Sequence, residues 1–333
     1  MIKNNKHIID TFGRVHDYLR ISLTERCNLR CFYCMPEEGV PLREKSSFMS
    51  HEEVLKIAKT FVKMGVKKIR LTGGEPLIKK NVANLLIELG KLPIELAITT
   101  NAVLVDKFID TFKKAGIKSV NVSLDSLNEA RFNSISRRNY FERIMQNINL
   151  LIENDFHVKI NVVVIKNLNE HEIPDFIEWT RHKNIHIRFI EFMPFDGNNW
   201  NWNKKVSYKE IMTIAKNHFG QNSIAKIQDK KNDTAKCYRL EKAKGTFGVI
   251  SSVTNPFCDT CNRIRLTADG KIKNCLFSET ETDLLTALRK EEDIEKLIRY
   301  SIANKKKERG GAKSLNNDFV KIMKNRSMTT IGG

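Results

Sequence analysis

Seven cysteines, at positions 27, 31, 34, 237, 258, 261 and 275, are the residues best suited to chemistry. They fall into two groups of three, with Cys237 left over. Cys27-x3-Cys31-x2-Cys34 puts three thiolates within eight residues, close enough to converge on one metal centre. A fourth ligand would close a structural zinc site, and His16 or His51 would serve. Three ligands alone leave a position open, which is what a catalytic metal needs. Cys258-x2-Cys261-x13-Cys275 again supplies three. With Cys237 as a fourth ligand it reads as closed zinc in a ribbon-like fold; without it, as a second iron–sulfur site with an open iron.

A set of basic residues belongs with these groups. Arg20, Arg70, Lys159, Arg263 and Arg265 all lie in or beside strand-like runs rather than on outer helices. The planar fork of arginine suits phosphate oxygens. A basic ring inside a barrel is costly unless an anion neutralises it. The net charge of +18 over 333 residues points the same way, toward a nucleic acid, an anionic membrane surface or a polyphosphate. With 41% hydrophobic and 29% charged residues, the composition excludes a disordered chain. No run approaches the ~18 apolar residues of a membrane span, and Met1–Asp10 carries no signal-peptide core. The expected location is cytoplasmic, where cysteines serve metals more readily than disulfides.

Something must hold these side chains in place. Strands are expected at Tyr18–Ser22, Lys68–Thr72, Glu95–Thr99, Ser119–Leu124, Lys159–Val164 and Ile185–Ile190. Helical periodicity separates them, at Glu53–Met64, Val82–Leu89, Phe108–Ala115, Arg143–Asn154 and Pro174–His182. Strand then helix, six times over, means parallel βαβ units with right-handed crossovers. Six units are too few for a closed eight-fold barrel, so the fold class is α/β. The expected architecture is an open partial (β/α)6 TIM-like barrel over residues 1–205, with chemistry at the C-terminal strand ends. A smaller C-terminal α+β region, 206–333, follows the Pro194–Lys205 loop. It carries a helix at Tyr208–His218 and shorter strands near Ala235–Leu240, Thr246–Ser252 and Arg263–Thr267. An Asp269-Gly270 turn leads into Lys271–Cys275, and helices follow at Thr282–Arg289 and Ile294–Asn304. The basic stretch 304–326 reads as mobile or loosely docked, and Lys305-Lys306-Lys307 as surface.

CxxxCxxC with an aromatic before the last Cys, here Tyr33, resembles the signature of the radical S-adenosylmethionine (SAM) superfamily. Thr72-Gly73-Gly74-Glu75-Pro76, where the second strand ends, resembles its motif for the SAM amino group. The two glycines permit close backbone approach, and Glu75 can face an ammonium. Ser123 and Asp125 resemble residues near the SAM carboxylate and ribose, although Ser-x-Asp after a strand is equally an ordinary helix cap. More widely, the chain resembles the GTP 3′,8-cyclases of molybdenum cofactor biosynthesis from Arg14 onward. Leu19-Arg20-Ile21-Ser22, Thr99-Thr100-Asn101, Arg188-Phe189-Ile190-Glu191-Phe192-Met193 and Phe257-Cys258-x2-Cys261-x-Arg263-x-Arg265 carry that likeness. So does the final Gly332-Gly333. Ala102 stands where that family usually has Gly, and Ser136-Arg137-Arg138-Asn139 varies its Gly-Arg-rich loop.

The resemblance implies two [4Fe–4S] clusters and SAM. Cys27, Cys31 and Cys34 would hold the SAM-binding cluster, with Tyr33, Gly74, Ser123 and Met193 shaping the SAM site. Cys258, Cys261 and Cys275 would hold the second, its open iron facing the guanine of GTP. Arg20, Arg70, Thr99, Lys159, Arg263 and Arg265 would bind substrate, with Arg20, Arg263 and Arg265 counted as catalytic. Cys237 is given no role. The implied partners are GTP, an electron donor of unknown identity and a functional link to cyclic pyranopterin monophosphate synthase. A homodimer is left open, and neither stable nucleic-acid binding nor membrane attachment is expected. Two rivals stand beside this reading. A radical SAM peptide-modifying maturase usually has more C-terminal cysteines. A zinc-dependent nucleic-acid binder predicts colourless protein and salt-dependent binding to DNA or RNA.

Overall fold

A computed structural model describes residues 6–41, 43–229, 231–312 and 325–332. Six strands form the first part in chain order: β1 (Tyr18–Ser22), β2 (Lys68–Thr72), β3 (Glu95–Thr100), β4 (Ser119–Ser123), β5 (His157–Val164) and β6 (His186–Glu191). The helices between them are α1 (His51–Lys63), α2 (Val82–Gly90), α3 (Ile109–Lys114), α4 (Glu129–Ser136), α5 (Phe141–Glu153) and α6 (Ile173–His182). Every neighbouring pair from β1 to β6 is parallel. This is the expected open partial barrel. Strand alternation builds it: Leu19, Ile21, Ile69, Leu71, Ile160 and Phe189 turn outward into the helix layer and are wholly buried. The helices answer with one apolar stripe each; on α1 it is Val54, Ile57, Ala58 and Phe61. Ser50 and Glu53 start α1 with a reciprocal capping box, a device of about 1 kcal/mol.

The C-terminal region comprises α7 (Tyr208–Phe219), β7 (Ile224–Lys226), β8 (Ala235–Leu240), β9 (Thr246–Ile250), β10 (Arg263–Leu266), β11 (Lys271–Lys273), β12 (Thr282–Asp283), α8 (Leu284–Arg289), α9 (Ile294–Ala303) and α10 (Met328–Ile331). Its strands extend both edges of the barrel sheet. The result is one twelve-stranded sheet in the order β12-β11-β10-β1-β2-β3-β4-β5-β6-β9-β8-β7. β9 runs parallel to β6 and β10 parallel to β1, so both edges of the parallel sheet are covered.

Some elements differ from expectation. Helix α4 is an addition to the expected set; it is two turns long and buries only Phe132, Ile135 and Ser136, too few to show a period. Strand β5 starts two residues earlier, at His157. Part of the basic 304–326 stretch is firmly held. Lys305 and Asn325 are buried, and Arg326 is ion-paired to Asp269 and Glu281. Residues 313–324 of that stretch lie outside the described residues. No helix among the described residues is long and apolar enough to cross a membrane.

Candidate active site

The strand register decides which side chains share the inside of the barrel. Arg20 of β1 lies level with Arg265 of β10 on one side and Arg70 of β2 on the other. Further round, Thr99, Asn121, Lys159 and His186 form one row across β3 to β6. Two residues along each strand, Ser123, Asn161 and Arg188 form the next row, continued by Gly248 and Cys237. Alternation puts Arg263 on the face of Arg265. Six cations thus share the inner face of the sheet.

Their electrostatics follow. Burial and mutual repulsion bring Arg20 down to about 10, and Arg188 and Arg265 to about 9. Lys159 falls to about 8, through burial and then through Arg188 and Arg70. Burial would raise the Tyr18 phenol, but Arg70, Arg20 and Lys68 outweigh it and bring it down to about 7. Arg70 donates to the Tyr18 hydroxyl at 2.7 Å and to the Ile98 carbonyl at 2.8 Å. Other donors and acceptors on this face are shielded from solvent and without partners among the described residues. They are Nε and Nη2 of Arg188, Nη1 of Arg263, Oγ1 of Thr99 and Oδ1 of Asn121 and Asn161. Such groups await a polar, anionic guest.

The first triad lies at the C-terminal end of β1. Cys27, Cys31 and Cys34 line a cavity of about 110 Å³ together with Tyr33, Gly74 and Ser123. Thr99 and Asn101 lie on the same wall. Burial raises the Cys27 thiol to about 11, with Glu75 adding to it. Cys31 and Cys34 are pushed up further by burial, by Asp125 and by the neighbouring thiols. Three crowded thiolates are unfavourable here unless a cationic centre binds them. Asn101 donates to Cys27 Sγ at 3.6 Å and the Leu29 amide at 3.4 Å, so one sulfur already has its hydrogen bonds. Among the described residues no three metal-ligating side chains come together at single-ion spacing. Thiolates on separate corners of a multi-iron cube need no common point. Three cysteines lining one cavity match the donor set of such a cube with one open corner.

The surrounding residues divide into wall and scaffold. Tyr33 donates its hydroxyl to Asp125, whose other oxygen accepts the Val163 amide at 2.8 Å. Asp125 thus fixes Tyr33, and the cap of α4 is Asn128 rather than Ser123 or Asp125. Glu75 is buried. Its carboxylate accepts from Thr100 Oγ1 at 2.8 Å, the Asn101 amide at 2.7 Å and the Leu77 amide at 3.0 Å. It ties the end of β3 to the Gly-Gly loop. Gly74 is required by chain against chain: its amide bonds the Thr24 carbonyl at 2.7 Å, and a Cβ there would overlap the Arg26 carbonyl. Ala102 holds a left-handed backbone, φ +64, where glycine would be unstrained. Met193 packs in a small apolar cluster with Phe192 and Trp200 that also takes in Tyr33 and Cys275. That cluster joins the surroundings of the two triads.

The C-terminal residues reach this interior. Met328 and Thr329 line the first-triad cavity, and Arg265 donates to the Gly332 carbonyl at 2.6 Å. Gly332 has φ +77, and a Cβ would meet Thr72 Oγ1 at 2.5 Å. Gly333 lies outside the described residues.

The second triad sits where the loop before β10 meets the turn after β11. Cys258, Cys261 and Cys275 are electrostatic neighbours of one another. Burial raises Cys258, whereas Lys305 and Arg263 outweigh burial at Cys261 and hold it below the ordinary thiol value. Arg14 donates to the Cys258 carbonyl at 2.8 Å. Cys237 stands apart. It lies on β8, beside Gly248, and the charges it feels are Asp233, Asp229, Lys226 and Lys159 rather than the triad. Its thiol donates to the Ala235 carbonyl at 3.6 Å, and β8 lies toward the opposite edge of the sheet from β10.

Sequence reasoning missed Arg188, Tyr18, Asn121 and Asn161 as interior residues. Their alternation was legible, but which face looked inward was not until the register was known.

Residues 21–180 match the radical SAM superfamily, and residues 185–310 match the family Molybdenum Cofactor Synthesis C. The Arabidopsis thaliana protein "GTP 3′,8-cyclase, mitochondrial" is 46% identical, over 98% of this chain and 83% of its own length. The Listeria monocytogenes "GTP 3′,8-cyclase" is 40% identical, over 97% of this chain and 98% of its own. Animal relatives called "Molybdenum cofactor biosynthesis protein 1" are longer, and the chain spans about half their length. In fold, the chain is similar to the crystal structure of Streptococcus suis SuiB, with a TM-score of 0.66 at 15% identity. That likeness covers 96% of this chain and 77% of SuiB. The chain belongs to the GTP 3′,8-cyclase family, within the radical SAM superfamily.

Proposed function

We propose that this chain is a radical SAM lyase that converts GTP to (8S)-3′,8-cyclo-7,8-dihydroguanosine 5′-triphosphate, the first step of molybdenum cofactor biosynthesis. The observation that carries this reading is the cation-lined interior between two cysteine triads, with Arg265, Arg20 and Arg70 level in one register row. A triphosphate supplies the negative charge that interior lacks. Cys27, Cys31 and Cys34 hold one [4Fe–4S] cluster; Tyr33, Gly74, Ser123 and Met193 surround SAM. Cys258, Cys261 and Cys275 hold the second. When bound, the first cluster and SAM supply a carbon-centred radical able to remove an unactivated hydrogen.

The rest of the task belongs to this chain's residues. Arg70, Lys159 and Arg188 grip the phosphates, while Arg20, Arg263 and Arg265 hold the nucleoside end toward the second triad. Thr99 adds a hydroxyl contact. Anchoring the triphosphate fixes C3′ relative to C8 of guanine, which turns ring closure into a proximity problem. Met328 and Thr329 help exclude water from the first-triad cavity.

Residues 1–205 serve as the SAM barrel and 206–333 as the second-cluster and substrate region. The reading makes GTP the substrate and requires a separate electron donor. It places the product upstream of cyclic pyranopterin monophosphate synthase, in the cytoplasm; a homodimer is compatible with it. Anaerobic incubation of reconstituted protein with SAM, dithionite and GTP tests it. Formation of 5′-deoxyadenosine and cyclised GTP is expected, and the absence of both refutes the reading.

A further inference from the structure

Three consecutive lysines follow α9, and only the first is buried. Lys305 is 3% exposed, while Lys306 and Lys307 face solvent. The turn that closes α9 directs it inward, with the Lys305 amide bonding the Ile302 carbonyl at 3.0 Å. Its ammonium donates to Cys261 Sγ at 3.6 Å and to the Arg263 carbonyl at 3.1 Å. Among the described residues no carboxylate forms an ion pair with it. A buried ammonium without a carboxylate needs another anion, and here the nearest candidate is a sulfur of the second triad. Arg263 also acts on Cys261 through its charge, and Arg14 reaches the backbone carbonyl of Cys258 rather than a sulfur.

We infer that Lys305 sets the reduction potential of the cluster held by Cys258, Cys261 and Cys275, acting through Cys261 as a positioning residue. The inference rests on the reading that this triad holds a [4Fe–4S] cluster. Potentials of such clusters respond to net charge, to hydrogen bonds on the sulfurs and to exposure. A cluster on three thiolates is already anionic, and one-electron reduction adds one negative charge with no bond made or broken. A fixed cation and an N–H donor on Cys261 Sγ stabilise the reduced form more than the oxidised form. Lys305 therefore raises the potential of this cluster and leaves the first one untouched. The contact to the Arg263 carbonyl also ties this control to β10, which carries Arg263 and Arg265 into the interior.

The test uses anaerobically reconstituted holoenzyme with both clusters, an EPR-monitored redox titration against dithionite, and iron analysis. Lys305→Gln keeps a donor of similar reach and removes the charge; Lys305→Arg keeps the charge. Lys305→Gln is expected to disfavour reduction of the second cluster at least tenfold, about 59 mV for one electron. Its iron content and the first cluster's potential should stay at parent values, and Lys305→Arg should lie within about threefold of the parent. An unchanged second-cluster potential at full iron content overturns the inference. So does loss of second-cluster iron in either variant, which would make Lys305 part of the scaffold instead. A parent protein without iron at the second triad overturns the cluster reading itself, and the inference with it.

Discussion

Replacing Arg188 by Met should weaken substrate binding and strengthen the empty protein at once. In the nucleotide-free chain this guanidinium is held at about 9 instead of 12.5, by burial and by Arg70 and Arg20. That displacement corresponds to about 5 kcal/mol against keeping the charge, a ceiling on what the folded state could gain by losing it. Methionine ends near the position of the arginine Nε and keeps most of the stem packing, so a net gain of about 1–2 kcal/mol is expected after local rearrangement. For a chain of this size that is a Tm increase of roughly 1–3 °C. Binding moves the opposite way. Nε and Nη2 of Arg188 are shielded and free to meet phosphate oxygens. A charge-assisted hydrogen bond contributes about 1.5–3 kcal/mol, so GTP should bind about 10- to 150-fold more weakly. Differential scanning fluorimetry without nucleotide and anaerobic calorimetry with GTP read the two effects. A variant that melts no higher than the parent and binds GTP equally well refutes the cationic-interior argument.

Other perturbations bear on other parts of the site. GTP should raise the Lys159 ammonium from its depressed value near 8, so binding near pH 8–9 takes up about one proton and weakens as pH rises further. Calorimetry in buffers of different ionisation heat measures this, and Lys159→Met should lower the uptake by up to about one proton. Gly74→Ala forces a Cβ into the Arg26 carbonyl and should strip the first cluster, lowering total iron by about half while the second cluster's EPR signal remains. Cys237→Ser should keep full iron content, whereas Cys275→Ser should lose about half of it. Ala102→Gly relieves a left-handed alanine and should raise stability by up to about 1 kcal/mol with no change in iron.

Much of the fold was legible because its signals are local. The strand limits of β1 and β2 follow from short runs in which Leu and Ile alternate with polar residues, and α1 from its stripe and its Ser50–Glu53 cap. Helix α4 escaped because two buried apolar residues in eight positions make no period. The partners of Glu75 were not legible for a related reason. A carboxylate beside two glycines is recognisable as chemistry, but its partners, Thr100 and Asn101, arrive from the next strand.

By itself the sequence determined the two cysteine triads, since ligand spacing within a loop is a local property, and the alternating placement of arginines on β10. The tertiary structure decided what those groups confront. Asp17 and Asn262, 245 residues apart, bond at 2.6 Å, and the adjoining strands bring Arg265 level with Arg20. No local pattern encodes that register, because it is fixed by packing both sheet edges against one shared helix layer. The same closure turned Arg188 inward and put Cys237 on the inner face, away from the second triad. It also took Lys305 out of a run of surface lysines and set it against Cys261. A side chain's type is written in the sequence; whether its charge meets water, another cation or a sulfur depends on chain segments far from it.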